Sequence, residues 1–198
     1  MKIVIAGAGE VGTHLAKMLS QENQDIILMD PNEERLKFTN NMEVLAMVGN
    51  PTSLKDLQES GIKDADLFIS VTPEEPTNIT ACMLAHSLGA HKTLARINNY
   101  EYLQPKNIEF FQKLGISSMI YPEMLAAREI VTAVQRPWAR QYWELFGGAL
   151  ILIGVKVRDN APIVNKRLTD LSLDQKLYHI VAIKRANETI IPRGTDHI

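Results

Sequence analysis

The 198-residue sequence predicts an α/β fold, a doubly wound parallel sheet followed by a small α+β module. Three features predict it. An apolar run over residues 3–6 leads straight into Gly7-Ala8-Gly9-Glu10-Val11-Gly12, three glycines at G-x-G-x-x-G spacing, and then into a helical period over 14–19. A second apolar run, 26–29, ends in Asp30, about 20 residues on, where a nucleotide-binding sheet places the acid that bonds a ribose hydroxyl. Strand and helix patterns then alternate up to Tyr121, as a parallel sheet with crossover helices requires.

Each glycine of the turn has a physical task. Gly7 permits the sharp exit from the strand, Gly9 lets a pyrophosphate approach the backbone, and Gly12 lets the helix pack closely on the sheet. The free N–H groups and the positive dipole end of that helix face the phosphates. After Asp30, Pro31-Asn32 opens a polar helix over 33–40, with Pro31 where a missing N–H costs little. A third strand over 44–48 runs into the turn cluster 49–53 and a helix over 54–60. A fourth strand, 66–71, is ended by Thr72-Pro73, and a helix from 74 to 88 follows, capped by Gly89. A fifth strand over 93–96, a helical turn or two over 109–114 and a sixth strand over 118–121 complete the sheet. Right-handed crossovers give the strand order 3-2-1-4-5-6.

The pattern changes at Pro122. Met124, Ala127, Val131 and Val134 share one face of a helix over 123–135, widened by Ile130 and stopped by Pro137. Residues 141–146 and 149–157 flank Gly147-Gly148, a two-residue hairpin signal. A short helix is expected over 165–171, and a second hairpin from 178–185 and 189–191 about Asn187. The domain boundary then falls after residue 136, and the unit 137–198 is small enough to be marginal alone.

Composition narrows the function classes. Hydrophobic residues make up 45% and charged residues 22%, the profile of a globular protein with a core. A net charge of -2 gives no support to a nucleic-acid or acidic-membrane partner. Cys82, the sole cysteine, can form no intramolecular disulfide, which fits a reducing cytoplasm; among Ala81, Met83 and Leu84 it reads as core. His14, His86, His91, His179 and His197 lack metal-ligand spacing, so no metal site is expected. The longest apolar stretch, 149–157, is strand-sized, and residue 1 enters a strand without a secretory leader; any membrane role is expected through a partner.

The glycine turn and Leu28-Met29-Asp30 combine with Ser70-Val71-Thr72, Thr77-Asn78, Leu94-Ala95-Arg96 and Tyr121-Pro122-Glu123. Together these resemble the RCK/KTN family of cytoplasmic regulators of potassium transport, over essentially the whole chain. Residues 161–168, Ala-Pro-Ile-Val-Asn-Lys-Arg-Leu, resemble part of that family's C-terminal (RCK-C) module. The resemblance implies a Rossmann-like domain that binds NAD(H), dimerises and assembles into a ring beneath a potassium-translocating membrane subunit, whose flow it gates. It implies that Gly7, Ala8, Gly9, Glu10, Val11 and Gly12 line the pyrophosphate and that Asp30 takes the adenosine ribose. Asn50 would lie near the adenine, Thr72 and Pro73 would close the crevice, and Arg96 would meet phosphate or ribose oxygens. Alternatives stand at three positions. Arg96 pairs with a surface acid instead, Asn78 is either a ligand contact or polar helix surface, and Glu123 is either a ligand or metal contact or a first-turn acid favoured by the helix dipole.

Departures from the family pattern refine these expectations. Relatives that bind ATP with an arginine hold it inside the glycine turn, where this chain has Glu10; an acid beside a triphosphate is repelled, so NAD(H) is expected over ATP or ADP. Asp30 likewise argues for NAD over NADP. Asn50-Pro51 stands where the family often has an acid–alanine pair. The chain ends soon after Pro192-Arg193-Gly194, so an incomplete RCK-C module is expected, in the N-terminal half of a longer protein or a short single-unit relative. The rival class is an NAD-dependent dehydrogenase or reductase, which needs an acid/base group beside the nicotinamide. The second module offers no clustered candidate, so no enzyme is expected; a bare scaffold is disfavoured by the intact nucleotide signature. Trp138, Tyr142 and Trp143 read as hairpin core or as an interface patch.

Overall fold

The structure, a computed structural model, describes residues 1–37, 39, 42–171 and 178–198. They divide into two compact units, Met1–Arg128 and Glu129–Ile198.

In the first unit, β1 (Lys2–Ala6) runs between β2 (Asp25–Asp30) and β4 (Leu67–Ser70). Outside them lie β3 (Leu45–Val48) on one edge and β5 (Thr93–Arg96) then β6 (Ser118–Ile120) on the other, all parallel, in the order β3-β2-β1-β4-β5-β6. This is the doubly wound order expected. Ala6 is level with Met29 of β2 and Ser70 of β4, so three strands end together.

Alternation along the strands builds one core layer on each face. Ile3 and Ile5 join Ala16 of α1 (Glu10–Ser20), Ile26, Leu28 and Leu36 of α2 (Glu33–Leu36). Val4 and Ala6 join Leu57 of α3 (Leu54–Glu59), Ala81, Cys82 and Ala85 of α4 (Glu75–Ser87) and Phe111 of α5 (Pro105–Lys113). Burial on both faces is why these strands read as unbroken apolar runs. It also pushes the Cys82 thiol up to about 12.

Of the helix expected over 33–40, the structure shows α2; Phe38, Asn40 and Asn41 lie outside the described residues. α5 begins at Pro105, well before residue 109. Proline suits a first helical position, and the preceding 3-10 turn, Tyr100–Leu103, is capped by Asn99, whose side chain accepts from the Glu101 N–H at 3.0 Å.

α6 (Pro122–Gln135) starts in the first unit and ends in the second, and none of its residues is buried. In the second unit, β7 (Ala139–Leu145) pairs antiparallel with β8 (Leu150–Val155). Their connection is not the two-residue turn expected. Phe146 joins Gly147 and Gly148 at positive φ in a 3-10 turn, and Leu145 pairs with Leu150 across the longer loop. β9 (Ile183–Arg185) and β10 (Glu188–Ile190) form a hairpin shorter than the runs 178–185 and 189–191. The helix expected over 165–171 is only a 3-10 turn, Leu168–Asp170. Asn165 has φ +61°, which a right-handed helix excludes, and Arg167 is drawn into an extended bridge with His197. Among the described residues of this unit none is buried, and Trp138, Trp143 and Phe146 are exposed.

Candidate functional site

The C-terminal edge of β1 is the switch point of the sheet, since its neighbours β2 and β4 are reached by crossovers running in opposite directions. The turn that leaves it is held from both sides. The Gly7 N–H donates to the Met29 carbonyl at 2.8 Å, and the Ala8 N–H to Asp30 Oδ2 at 2.8 Å. Gly7 has φ +105°, and a Cβ there would lie 3.0 Å from the Thr72 nitrogen. A Cβ on Gly12 would sit 1.8 Å from the Gly7 carbonyl oxygen. Close packing of turn, helix and β4 exit therefore demands both glycines.

Gly9 is different. Its backbone is extended, and a Cβ on it would meet nothing within 4 Å. Protein packing gives no reason for glycine here, and the space in front of its backbone is open to a ligand. Gly9, Glu10 and Val11 are exposed, and no side chain caps α1. The first N–H groups of that helix have no intrahelical partner and stand at its positive dipole end, a cradle suited to a pyrophosphate.

Asp30 is 2% exposed. Besides holding Ala8, it accepts the Asn32 N–H on Oδ1 at 2.9 Å, and Arg35 Nη1 stands 3.8 Å from Oδ2. The carboxylate thus ties the glycine turn to the β2–α2 turn, with a lone pair on each oxygen left for a further donor such as a ribose hydroxyl. Neighbouring Gly49 donates to the Asp30 carbonyl at 3.2 Å. Next to it, Asn50 spends its side-chain oxygen on its own turn, accepting the Thr52 N–H at 2.9 Å and the Thr52 hydroxyl at 2.8 Å.

On the far side of β1, Thr72 is half-buried and Pro73 exposed. Asn78, 1% exposed, is neither polar surface nor free for a ligand. Its Oδ1 accepts the Ser70 hydroxyl, the Thr72 N–H and the Thr72 hydroxyl at 2.9, 2.9 and 2.7 Å. Its Nδ2 donates to the Thr72 and Arg96 carbonyls at 3.0 and 2.9 Å. One turn earlier, Glu75 Oε2 accepts the N–H groups of Asn98 and Asn99 at 2.5 and 2.7 Å. The first turn of α4 therefore fixes the exits of both β4 and β5. Sequence reasoning missed Glu75 and Arg35. For Asn78 a signal existed, because 78, 81, 82 and 85 fall on one helix face and the last three are core.

Arg96 Nη2 donates to Glu123 Oε1 at 2.9 Å, which makes one ion pair of two separate candidates. Among the described residues no group of three or more His, Cys, Asp or Glu is placed to hold a metal, and no helix is long and apolar enough to cross a membrane.

A doubly wound sheet with a glycine turn at its switch point and an acid closing β2 defines the class of Rossmann-like, dinucleotide-type domains. The family is more particular. The TrkA-N domain profile matches residues 3–122, and the chain belongs to that family. It is 33% identical to a Trk system potassium uptake protein TrkA homolog of Archaeoglobus fulgidus, over 98% of this chain and 44% of that protein. It is 34% identical to the homolog of that name in Methanothermobacter thermautotrophicus, over 98% of this chain and 87% of that one. The chain thus spans less than half the length of several of the curated relatives it matches. Its backbone is similar to that of the GsuK channel bound to NAD, with a TM-score of 0.62 at 16% identity, covering 100% of this chain and 35% of that one. The last likeness speaks to the fold.

Proposed function

We propose that this chain is a nucleotide-binding regulatory subunit that gates a Trk-type membrane potassium-translocating subunit, with NAD(H) as its ligand. The observation that carries the reading is the Gly9 backbone, open in front of an uncapped helix end beside Asp30, in a chain of the TrkA-N family. The relatives named as Trk system potassium uptake proteins and the NAD-bound GsuK channel support it.

In this reading the backbone of Gly7, Ala8, Gly9, Glu10, Val11 and Gly12 holds the pyrophosphate. Asp30 accepts the ribose hydroxyls, with Asn50 on the adenine side. Thr72, Pro73 and Arg96 close the opposite side, and Asn78 positions Thr72 and Arg96 from beneath. The bound cofactor supplies a regulatory signal, its presence or redox state, rather than a reaction. Glu10 turns the site from ATP and ADP, and Asp30 from NADP. The first domain covers 1–136, and residues 137–198 form part of the RCK-C module. The chain works in the cytoplasm at the inner face of the membrane, held there by its partner, as a dimer or ring. Support for the oligomer comes from α6, where Ile130, Val131 and Val134 are 63%, 51% and 73% exposed.

Calorimetry on the purified protein tests the ligand. NADH is expected to bind more tightly than NADPH and than ATP; equal or tighter NADPH binding overturns the choice of NAD.

A further inference from the structure

Arg96 closes β5 at the same edge of the sheet as the glycine turn, and Glu123 stands in the first turn of α6. The arginine's backbone is firmly placed. Its carbonyl accepts from Asn78 Nδ2, its strand neighbour is Ile120, and the side chain is only 21% exposed, against 54% for Glu123. Yet the guanidinium is incompletely matched. Nη2 bonds Glu123, while the buried Nε has no partner among the described residues. A planar fork of donors is best met by an anion that engages two of them, and a buried donor left unmatched is costly. Glu123, half in solvent, is an exchangeable partner of the kind that contributes little to stability.

We propose that Glu123 competes with the nucleotide for Arg96. In the ligand-free chain Glu123 occupies the arginine. A phosphate entering the crevice takes Arg96 and its unmatched Nε, and Glu123 must leave, because two anions sharing one cation at close range repel. The first turn of α6 then loses its tether to β5. This inference rests on the nucleotide-binding reading above and adds to it a ligand-dependent release.

The test is NADH titration of wild type, Glu123→Gln and Arg96→Gln, combined with hydrogen exchange at Met124 and Leu125, whose N–H groups donate to the Tyr121 carbonyl at 3.2 Å. Glu123→Gln is expected to bind NADH about two- to fivefold more tightly than wild type, the gain from removing a part-exposed ion pair, and Arg96→Gln more weakly than either. NADH is expected to speed exchange at Met124 and Leu125 in wild type, whereas in Glu123→Gln exchange is fast already. Equal or weaker binding by Glu123→Gln, or unchanged or slower exchange in wild type with NADH, overturns the competition and leaves nucleotide binding standing. A wild type that binds no NADH overturns both.

Discussion

Cutting Asn78 back to alanine strips partners from Ser70, Thr72 and the Arg96 carbonyl at once. Each buried polar group so abandoned costs about 1–3 kcal/mol. Asn78→Ala is therefore expected to lower the denaturant midpoint and to weaken NADH binding without touching the ligand; an unchanged midpoint would show the network to be slack. Cys82 makes a second residue-scale prediction. Its thiol titrates at about 12 in the fold against an ordinary 9.0, so the folded chain holds the proton more tightly. Its contribution to stability is full below 9.0 and falls as pH rises through the window up to about 12, by about 1.4 kcal/mol per unit. Alkaline unfolding of Cys82→Ala should lack that slope, and the wild-type thiol should resist alkylation until the chain unfolds. Gly7, Gly12 and Asp30 were legible in the sequence because their task is local to a strand end. The work of Asn78 was not, because its partners reach from Ser70 to Arg96, and folding alone brings them together.

Among the elements, α6 carries the clearest expectation. Its apolar residues are exposed along the part that the second unit claims, and a two-fold pairing is the commonest way to cover such a stripe. Val131→Asp should yield monomers by light scattering, with the wild type a dimer or larger; a wild-type monomer at high micromolar concentration would refute the pairing. The six strands and their order could be read directly, since the central strands β1, β2 and β4 are apolar runs buried on both faces and turns punctuate all six. The second unit was harder. Asn165 to Leu171 reads as a short helix, but a bridge between Arg167 and His197, distant in sequence, takes the backbone instead. The Gly147-Gly148 signal was real, yet Phe146 also adopts positive φ and widens the loop. The start of α5 was missed because the capping Asn99 and the 3-10 turn before Pro105 resemble ordinary loop.

At the scale of the whole molecule, gating requires the nucleotide to prefer one conformation of the assembly, since a ligand that prefers neither shifts nothing. Coupling of that kind is typically worth about 1–3 kcal/mol and is reciprocal. NADH affinity measured with and without the membrane subunit should then differ about 5- to 150-fold, and NAD should differ from NADH in one of the two states. If neither partner nor redox state alters affinity while NADH still binds, the nucleotide is a structural ligand only. Purified protein given NADH and common carbonyl substrates is expected to leave the NADH absorbance unchanged; saturable, protein-dependent oxidation would place it with the reductases.

The position of Gly9 would make the proposed assembly countable. Alanine there meets no neighbour and keeps an allowed backbone, so Gly9→Ala should fold and pair like the wild type while its methyl group occupies the space a pyrophosphate needs. Such a chain would be a silent member of the assembly. Mixing it with wild type in graded ratios, and plotting the nucleotide response against the silent fraction, would give the number of responsive subunits one gate requires: a straight line if each acts alone, and a steep power-law loss if all must act together.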